Sequence, residues 1–259
     1  MSRRIIAACC AAALCGGALA LGTTEKTPEQ RRAEMEKFGG YVIRPGNGKS
    51  VLLADMRGVE DDGLLQGFAK GGGALLHLTF DLKAAGAPKG DVGVAARSLK
   101  DAMHPAAIAV VDVPGSPALG VYPEEAVAFV NVAPLKTDDA TRYRARVQKE
   151  LWRAVGFALG AYVLPRQGCV MENVCSVDDL DKVPARQLSP MRFMNVYRTV
   201  EKLGIPDGRE VPYVKALREG WAPAPTNDAQ RAAVQKWEEV KAKRAEKEAA
   251  KHKAGGDAK

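Results

Sequence analysis

The chain has 259 residues, 46% of them hydrophobic, with a formal charge of +7 and 6% aromatic side chains. That length suits one well-buried domain or two small ones between its ends. The positive excess is modest and spread out, Arg3 and Arg4 supply part of it, and few aromatics lie beside the basic residues, so no nucleic-acid partner is expected.

Met1-Ser2-Arg3-Arg4 puts positive charge ahead of an uninterrupted small and apolar run from Ile5 to Leu21. The run is too short and too rich in Ala and Gly for a membrane span, which needs about 20 strongly apolar residues. Ala18-Leu19-Ala20 gives the small-x-small pattern of a signal-peptidase site, so residues 1–20 read as a signal peptide and the chain as exported, either periplasmic or secreted. Ile6-Ala7-Ala8-Cys9 resembles a lipoprotein box, but it leaves almost no hydrophobic region before the cysteine and ranks below plain secretion. Cleavage after Ala20 removes Cys9, Cys10 and Cys15 and leaves no transmembrane span. Cys169 and Cys175 remain. An oxidising compartment allows a local disulfide between them, and two free thiols, one buried as a small hydrophobe, fit the spacing equally. Without a nearby histidine the pair is not a convincing metal site.

Residues 21–48 are polar and read as a linker, with a short helix from Pro28 to Phe38. From 49 to 222 the pattern is that of one domain. Ser50–Met56 reads as a strand, Gly63–Ala69 as a short helix and Ala74–Phe80 as a second strand, with Gly71-Gly72-Gly73 as a bare connector. Val92–Met103 reads as a helix and Ala106–Val113 as a third strand. This alternation predicts an α/β layer with a largely parallel sheet. Leu119–Tyr122 and Ala126–Val132 have only three residues between them, which predicts an antiparallel pair at the sheet edge. Asp138 and Asp139 can cap a long helix running to about Leu159, whose Val147, Leu151, Ala154, Val155, Ala158 and Leu159 recur at helical spacing. After a loop containing Pro165, Gly168 and Cys169 come Met171 and an acidic stretch. Ser189-Pro190 then opens an amphipathic helix to Gly204 with Phe193, Val196, Tyr197 and Val200 on one face. Residues 223–259 form a charged helical or disordered tail, a solvated helix from Asn227 fraying at Gly255-Gly256.

The segment Lys149-Glu150-Leu151-Trp152-Arg153-Ala154-Val155-Gly156-Phe157-Ala158-Leu159 resembles in outline the metzincin helix, His-Glu-x-x-His-x-x-Gly-x-x-His. Cys169-Val170-Met171 resembles the Cys-x-Met of the archaemetzincins, and Val177–Lys182 their acidic stretch after that methionine. Ser189-Pro190-Met191-Arg192 falls where that family has Cys-Pro-x-Cys, part of a second zinc site, and 126–132 sits as its edge strand does. The resemblance implies a zincin-like fold: a mixed, largely parallel sheet with an antiparallel edge strand, flanked by helices including a long central one. It implies a general-base position at Glu150, a turn at Gly156 and a Met turn at Met171. The family's metal-ligand positions are occupied by Lys149, Arg153 and Leu159.

Those three residues oppose zinc chemistry. Lys149 and Arg153 put two cations where a dication must sit, and Leu159 has no lone pair. No catalytic residue and no metal ligand is therefore expected, Glu150 being vestigial, and no cofactor unless a zinc site is rebuilt from other ligands. The chain's three histidines, His77 on a strand, His104 at a helix end before Pro105 and His252 in the tail, assemble no triad. No nucleophile elbow or Walker phosphate loop occurs, and neither cysteine has a histidine near it in sequence. The leading expectation is an exported, catalytically inactive archaemetzincin-like protein. Its partner is an unidentified peptide or protein, added as a strand along 119–122 or 126–132. One alternative is a hydrolase with non-standard ligands, using Glu150 with Asp178, Asp179 or Asp181. Another is a structural envelope protein whose basic C-terminal helix docks to an anionic partner.

Overall fold

The computed structural model describes residues 27–37, 39–59, 63–163 and 168–256; the expected signal peptide lies outside them. The chain begins with α1 (Pro28–Glu36), where Thr27 and Gln30 form a reciprocal capping box. Next is β1 (Tyr41–Ile43), within the stretch read as a linker. The sheet-forming region then runs β2 (Val51–Asp55), α2 (Leu64–Leu76), β3 (Phe80–Ala84), α3 (Val92–Arg97), β4 (Ala106–Val111), β5 (Leu119–Tyr122), β6 (Val127–Asn131) and α4 (Ala140–Ala158). The remainder is α5 (Val177–Lys182), α6 (Pro190–Leu203), β7 (Glu210–Pro212), α7 (Tyr213–Arg218) and α8 (Asp228–Gly256).

Five strands form one sheet in the order β3-β2-β4-β6-β5. All neighbours are parallel except β5, which pairs antiparallel with β6, so the edge hairpin forms as its spacing predicts. The strands β2, β4 and β6 are buried throughout, as near-continuous apolar runs must be when helices cover both faces. Alternate residues feed two cores. Val51, Leu53, Ile108, Val110, Ala128 and Val130 pack with Leu151 and Val155 of α4. On the opposite face, Leu52, Ala54, Ala107, Ala109, Val127 and Phe129 pack with Val92 and Ala96 of α3. A second, two-stranded sheet joins β1 to β7. The first turn of α8 is tied to the same region, since Gln230 Nε2 donates to Gly39 O at 3.0 Å. Among the described residues no helix is long and apolar enough to cross a membrane.

Three boundaries differ from the sequence reading. The helix expected over Gly63–Ala69 continues to Leu76, so Gly71-Gly72-Gly73 lies inside it, and the following strand starts only at Phe80. Leu65, Phe68, Gly72 and Leu76 make a buried stripe at helical spacing, which outweighs the short strand-like run at Ala74–Leu78. His77 therefore caps a helix in the left-handed conformation and is exposed instead of lying on a strand. The helix expected to reach Met103 ends at Arg97, and Asp101 Oδ1 takes up the Met103 and His104 N–H groups at 2.7 Å each.

The edge hairpin depends on Gly120, which pairs opposite Phe129 in register. A Cβ there would lie 2.1 Å from the Phe129 ring, and that ring is 4% exposed and has nowhere to go. Gly120→Ala is expected to lower stability by about 1–3 kcal/mol in chemical denaturation. Gly86→Ala, where a Cβ meets nothing within 4 Å, should stay within about 0.5 kcal/mol of the parent; equal effects at both positions would refute the steric account.

Candidate functional site

The long helix α4 starts at Asp139, whose Oδ1 accepts from Thr141 N and Arg142 N. Its apolar stripe faces the sheet, but Arg146, Lys149, Glu150 and Arg153 are buried as well. The cations lie at i, i+3 and i+7, one face of a helix, and each reaches oxygen supplied by the chain that follows or precedes α4. Arg146 Nε and Nη2 hold the Asp181 carboxylate at 2.8 and 2.6 Å, and Nη1 reaches Leu135 O at 3.3 Å. Lys149 Nζ donates to Leu180 O at 2.7 Å, in the last turn of α5, where exposed carbonyls favour a cation. Arg153 Nη1 donates to Val170 O at 3.1 Å and Glu172 O at 2.8 Å, while Nε donates to Glu150 Oε2 at 3.2 Å.

These contacts set the electrostatics. Burial pushes the Glu150 carboxyl above its usual range, against the pull of Arg153. Burial also holds Lys149 below the usual lysine range, although Asp181 opposes that. The Arg146 hydrogen bonds hold Asp181 below its usual range. Leu159 is fully buried in the same apolar cluster as Met171 and Leu188. Gly156, which the resemblance made a turn, lies within unbroken helix instead. Its role is close approach: a Cβ would stand 2.6 Å from Met171 Sδ and 3.0 Å from Leu188 Cδ2.

Lys149, Arg153 and Gly156 thus meet the 168–188 segment, Glu150 is tied to it through Arg153, and Leu159 belongs to the core. The two cysteines do not come together. Cys169 is buried and its Sγ accepts from Ser189 N at 3.3 Å, whereas Cys175 is exposed, and both are free thiols. The disulfide alternative is therefore set aside, because one thiol is committed to the interior and the other lies outside. Nor do the aspartates of the alternative hydrolase reading join Glu150. Asp181 holds Arg146, Asp179 bonds Ser176 and Lys182, and Asp178 is exposed.

Two buried polar centres were missed in the sequence. His104 is buried, with Nδ1 2.9 Å from Asp101 and Nε2 2.9 Å from Asp81 Oδ2, and its hydrogen bonds draw both carboxylates below their usual range. It stitches β3 to the loop before β4. Asn131 is fully buried at the end of β6; Nδ2 donates to Val113 O and Ser116 O, while Oδ1 accepts from Val113 N and Ala133 N. That fixes the loop leading into β5. Each combines a local partner with a distant one, Asp81 for His104 and Val113 and Ser116 for Asn131, and the distant ones carry no local sequence signal.

No family model matches the chain, and no curated protein matches it. Among solved structures it is similar to the archaemetzincin of Methanopyrus kandleri, at 18% identity and a TM-score of 0.48 over 61% of this chain and 98% of that one. It is also similar to the archaemetzincin of Archaeoglobus fulgidus complexed with malonate, at 16% identity and a TM-score of 0.41 over 56% and 98% of the two chains. A zinc-dependent peptidase from Methanocorpusculum labreanum gives 15% identity and a TM-score of 0.45 over 56% and 99%. The likeness lies in the course of the chain, and the chemistry of the site is read from its own side chains. Those side chains do not fit zinc. Lys149 and Arg153 are cationic donors already bonded to carbonyls, Leu159 is apolar, and among the described residues no group of three or more His, Cys, Asp or Glu could hold a metal ion.

Arg153→Met strands Glu150 and two backbone carbonyls in the interior, and is expected to cost about 3–5 kcal/mol in thermal or chemical unfolding. Adding Glu150→Gln should recover part of that loss; no recovery would mean that the pair is not coupled. The raised Glu150 pKa also has a sign. The folded state binds this proton more readily than the unfolded state, so stability rises as pH falls from neutral towards the ordinary glutamate value of about 4.3. Denaturation should therefore favour the parent progressively over Glu150→Gln as pH is lowered from neutral to that value, and a difference flat over the whole interval would contradict the burial assignment.

Proposed function

We propose that the protein is an exported, catalytically inactive archaemetzincin-like scaffold that binds a peptide or protein partner by strand addition along β5. The reading is carried by the state of the α4 cations. Arg153 is spent on Glu150 and on the carbonyls of Val170 and Glu172, which leaves neither metal ligands nor an accessible general base at this face. What the scaffold still offers is an edge. β5 is the outermost strand beyond β6, and Leu119-Gly120-Val121-Tyr122 carries no charge. The opposite edge, β3, carries Asp81 and Lys83, the charged side chains that discourage edge pairing. Ahead of β5 lies an open groove of ≈ 670 Å³, lined by Asp112, Ser116, Pro117 and Lys136 among others, at the C-terminal ends of β4 and β6. A chain lying along β5 could continue into it. Export rests on the leader sequence, and intact mass of the mature protein should correspond to cleavage after Ala20.

Two measurements test the binding reading together. Zinc titrated calorimetrically into chelator-treated protein should give no tight stoichiometric site; one such site would overturn inactivity. Linear peptides selected on the protein by phage display should slow amide exchange at 119–122 and leave 80–84 unchanged. Binding that protects other segments and spares β5 would refute strand addition.

A further inference from the structure

The first turn of α6 holds a buried cation two of whose donors go unanswered among the described residues. Arg192 is 1% exposed, yet among the described residues its Nε and Nη2 have no hydrogen-bond partner, and neither does the buried hydroxyl of Ser189, which makes no side-chain cap for the helix. The unanswered edge is a specific one. Arg57, Arg146 and Arg209 each use Nε and Nη2 side by side to grip an aspartate, Asp55, Asp181 and Asp207 respectively. Arg192 offers the same two donors with no carboxylate on them. A buried guanidinium without a counter-charge is strongly unfavourable, and the N-terminus of a 14-residue helix adds positive potential at the same place.

The site lies just under the surface. The Arg192 guanidinium stacks 3.7 Å from the centre of the Tyr162 ring, and Tyr162 is itself 62% exposed, so an exposed surface ring covers the cation. Large apolar side chains lie exposed on the same two segments: Val163 beside Tyr162, and Met191 and Met194 on α6. Methionine side chains suit an adaptable recognition surface.

We propose that the N-terminal turn of α6 docks a segment of a partner protein that brings a carboxylate to Arg192 and Ser189 and lays flanking apolar residues on Tyr162, Val163, Met191 and Met194. A planar carboxylate matches the Nε–Nη2 edge in two parallel hydrogen bonds. The apolar surround favours a peptide over a free inorganic anion, which could not use it. The carboxylate comes from a chain end or from an Asp or Glu side chain. This site is on a different element from β5, and stands whether or not a peptide adds to that edge.

The test follows the Arg192 Nε–H resonance of the ¹⁵N-labelled full chain, identified by its loss in Arg192→Lys. The probes are N-acetyl-leucine, with a chain-end carboxylate, N-acetyl-glutamate α-methylamide, with a side-chain carboxylate, N-acetyl-leucinamide and inorganic phosphate. At least one carboxylate should shift the resonance saturably, with N-acetyl-leucinamide about tenfold weaker or worse, and the tighter of the two acids identifies the source. Met191→Ser with Met194→Ser should weaken N-acetyl-leucine about three- to tenfold. A resonance unmoved by both acids overturns the proposal, as does phosphate binding as tightly as either. Unchanged N-acetyl-leucine affinity in the double methionine variant removes the apolar half of the site.

Discussion

One constraint organises the side of α4 that faces away from the sheet: a buried row of cations must find oxygen. Arg146, Lys149 and Arg153 find it in Leu135, Val170, Glu172, Leu180 and Asp181, and in doing so they hold α5 and the loop before it against the helix. Backbone carbonyls that would be unsatisfied in an apolar interior are answered by side-chain donors. Met171 and Leu188 can then close on Gly156, and Leu159 is sealed beneath them. The packing and the polar contacts are mutually dependent. The loop must lie close for the cations to be satisfied, and the cations must be satisfied for the loop to lie close.

That arrangement determines where recognition can occur. The face of α4 that carries the motif is filled, so the binding proposed for this protein falls on other surfaces. Two such surfaces among the described residues carry the proposals. One is the uncharged edge of β5, kept in register by the Gly120–Phe129 contact and led into by the loop that Asn131 holds. The other is the first turn of α6, where Arg192 is buried without, among the described residues, the carboxylate that Arg57, Arg146 and Arg209 each grip side-on.

Much of the architecture was legible. Continuous apolar runs at 51–55, 106–111 and 127–131 announce buried parallel strands, and the short link between 122 and 127 announces the antiparallel edge. The region from 64 to 80 was not, because Ala74–Leu78 is short and apolar and its helical membership is fixed by a stripe that begins at Leu65. Three adjacent glycines there signal a turn on propensity alone, and packing overrides it. In the candidate site, the order of Lys149, Glu150, Arg153, Gly156, Leu159 and Met171 was legible. The carbonyl partners of Lys149 and Arg153 were not, since they lie 17 to 31 residues further along.

What the sequence by itself determined is the donor and acceptor character of the side chains on α4: Lys149 and Arg153 are cationic donors and Leu159 is apolar. What only the tertiary structure decided is what those side chains do, and which other groups matter. Lys149 and Arg153 hold the following chain in place, Cys169 and Cys175 part company, and His104 finds two aspartates. The physical reason is common to all of them. A side chain's donors and acceptors are written in the sequence, but whether it is buried, and which distant oxygens then satisfy it, is fixed only when the sheet and helices bring separate segments together.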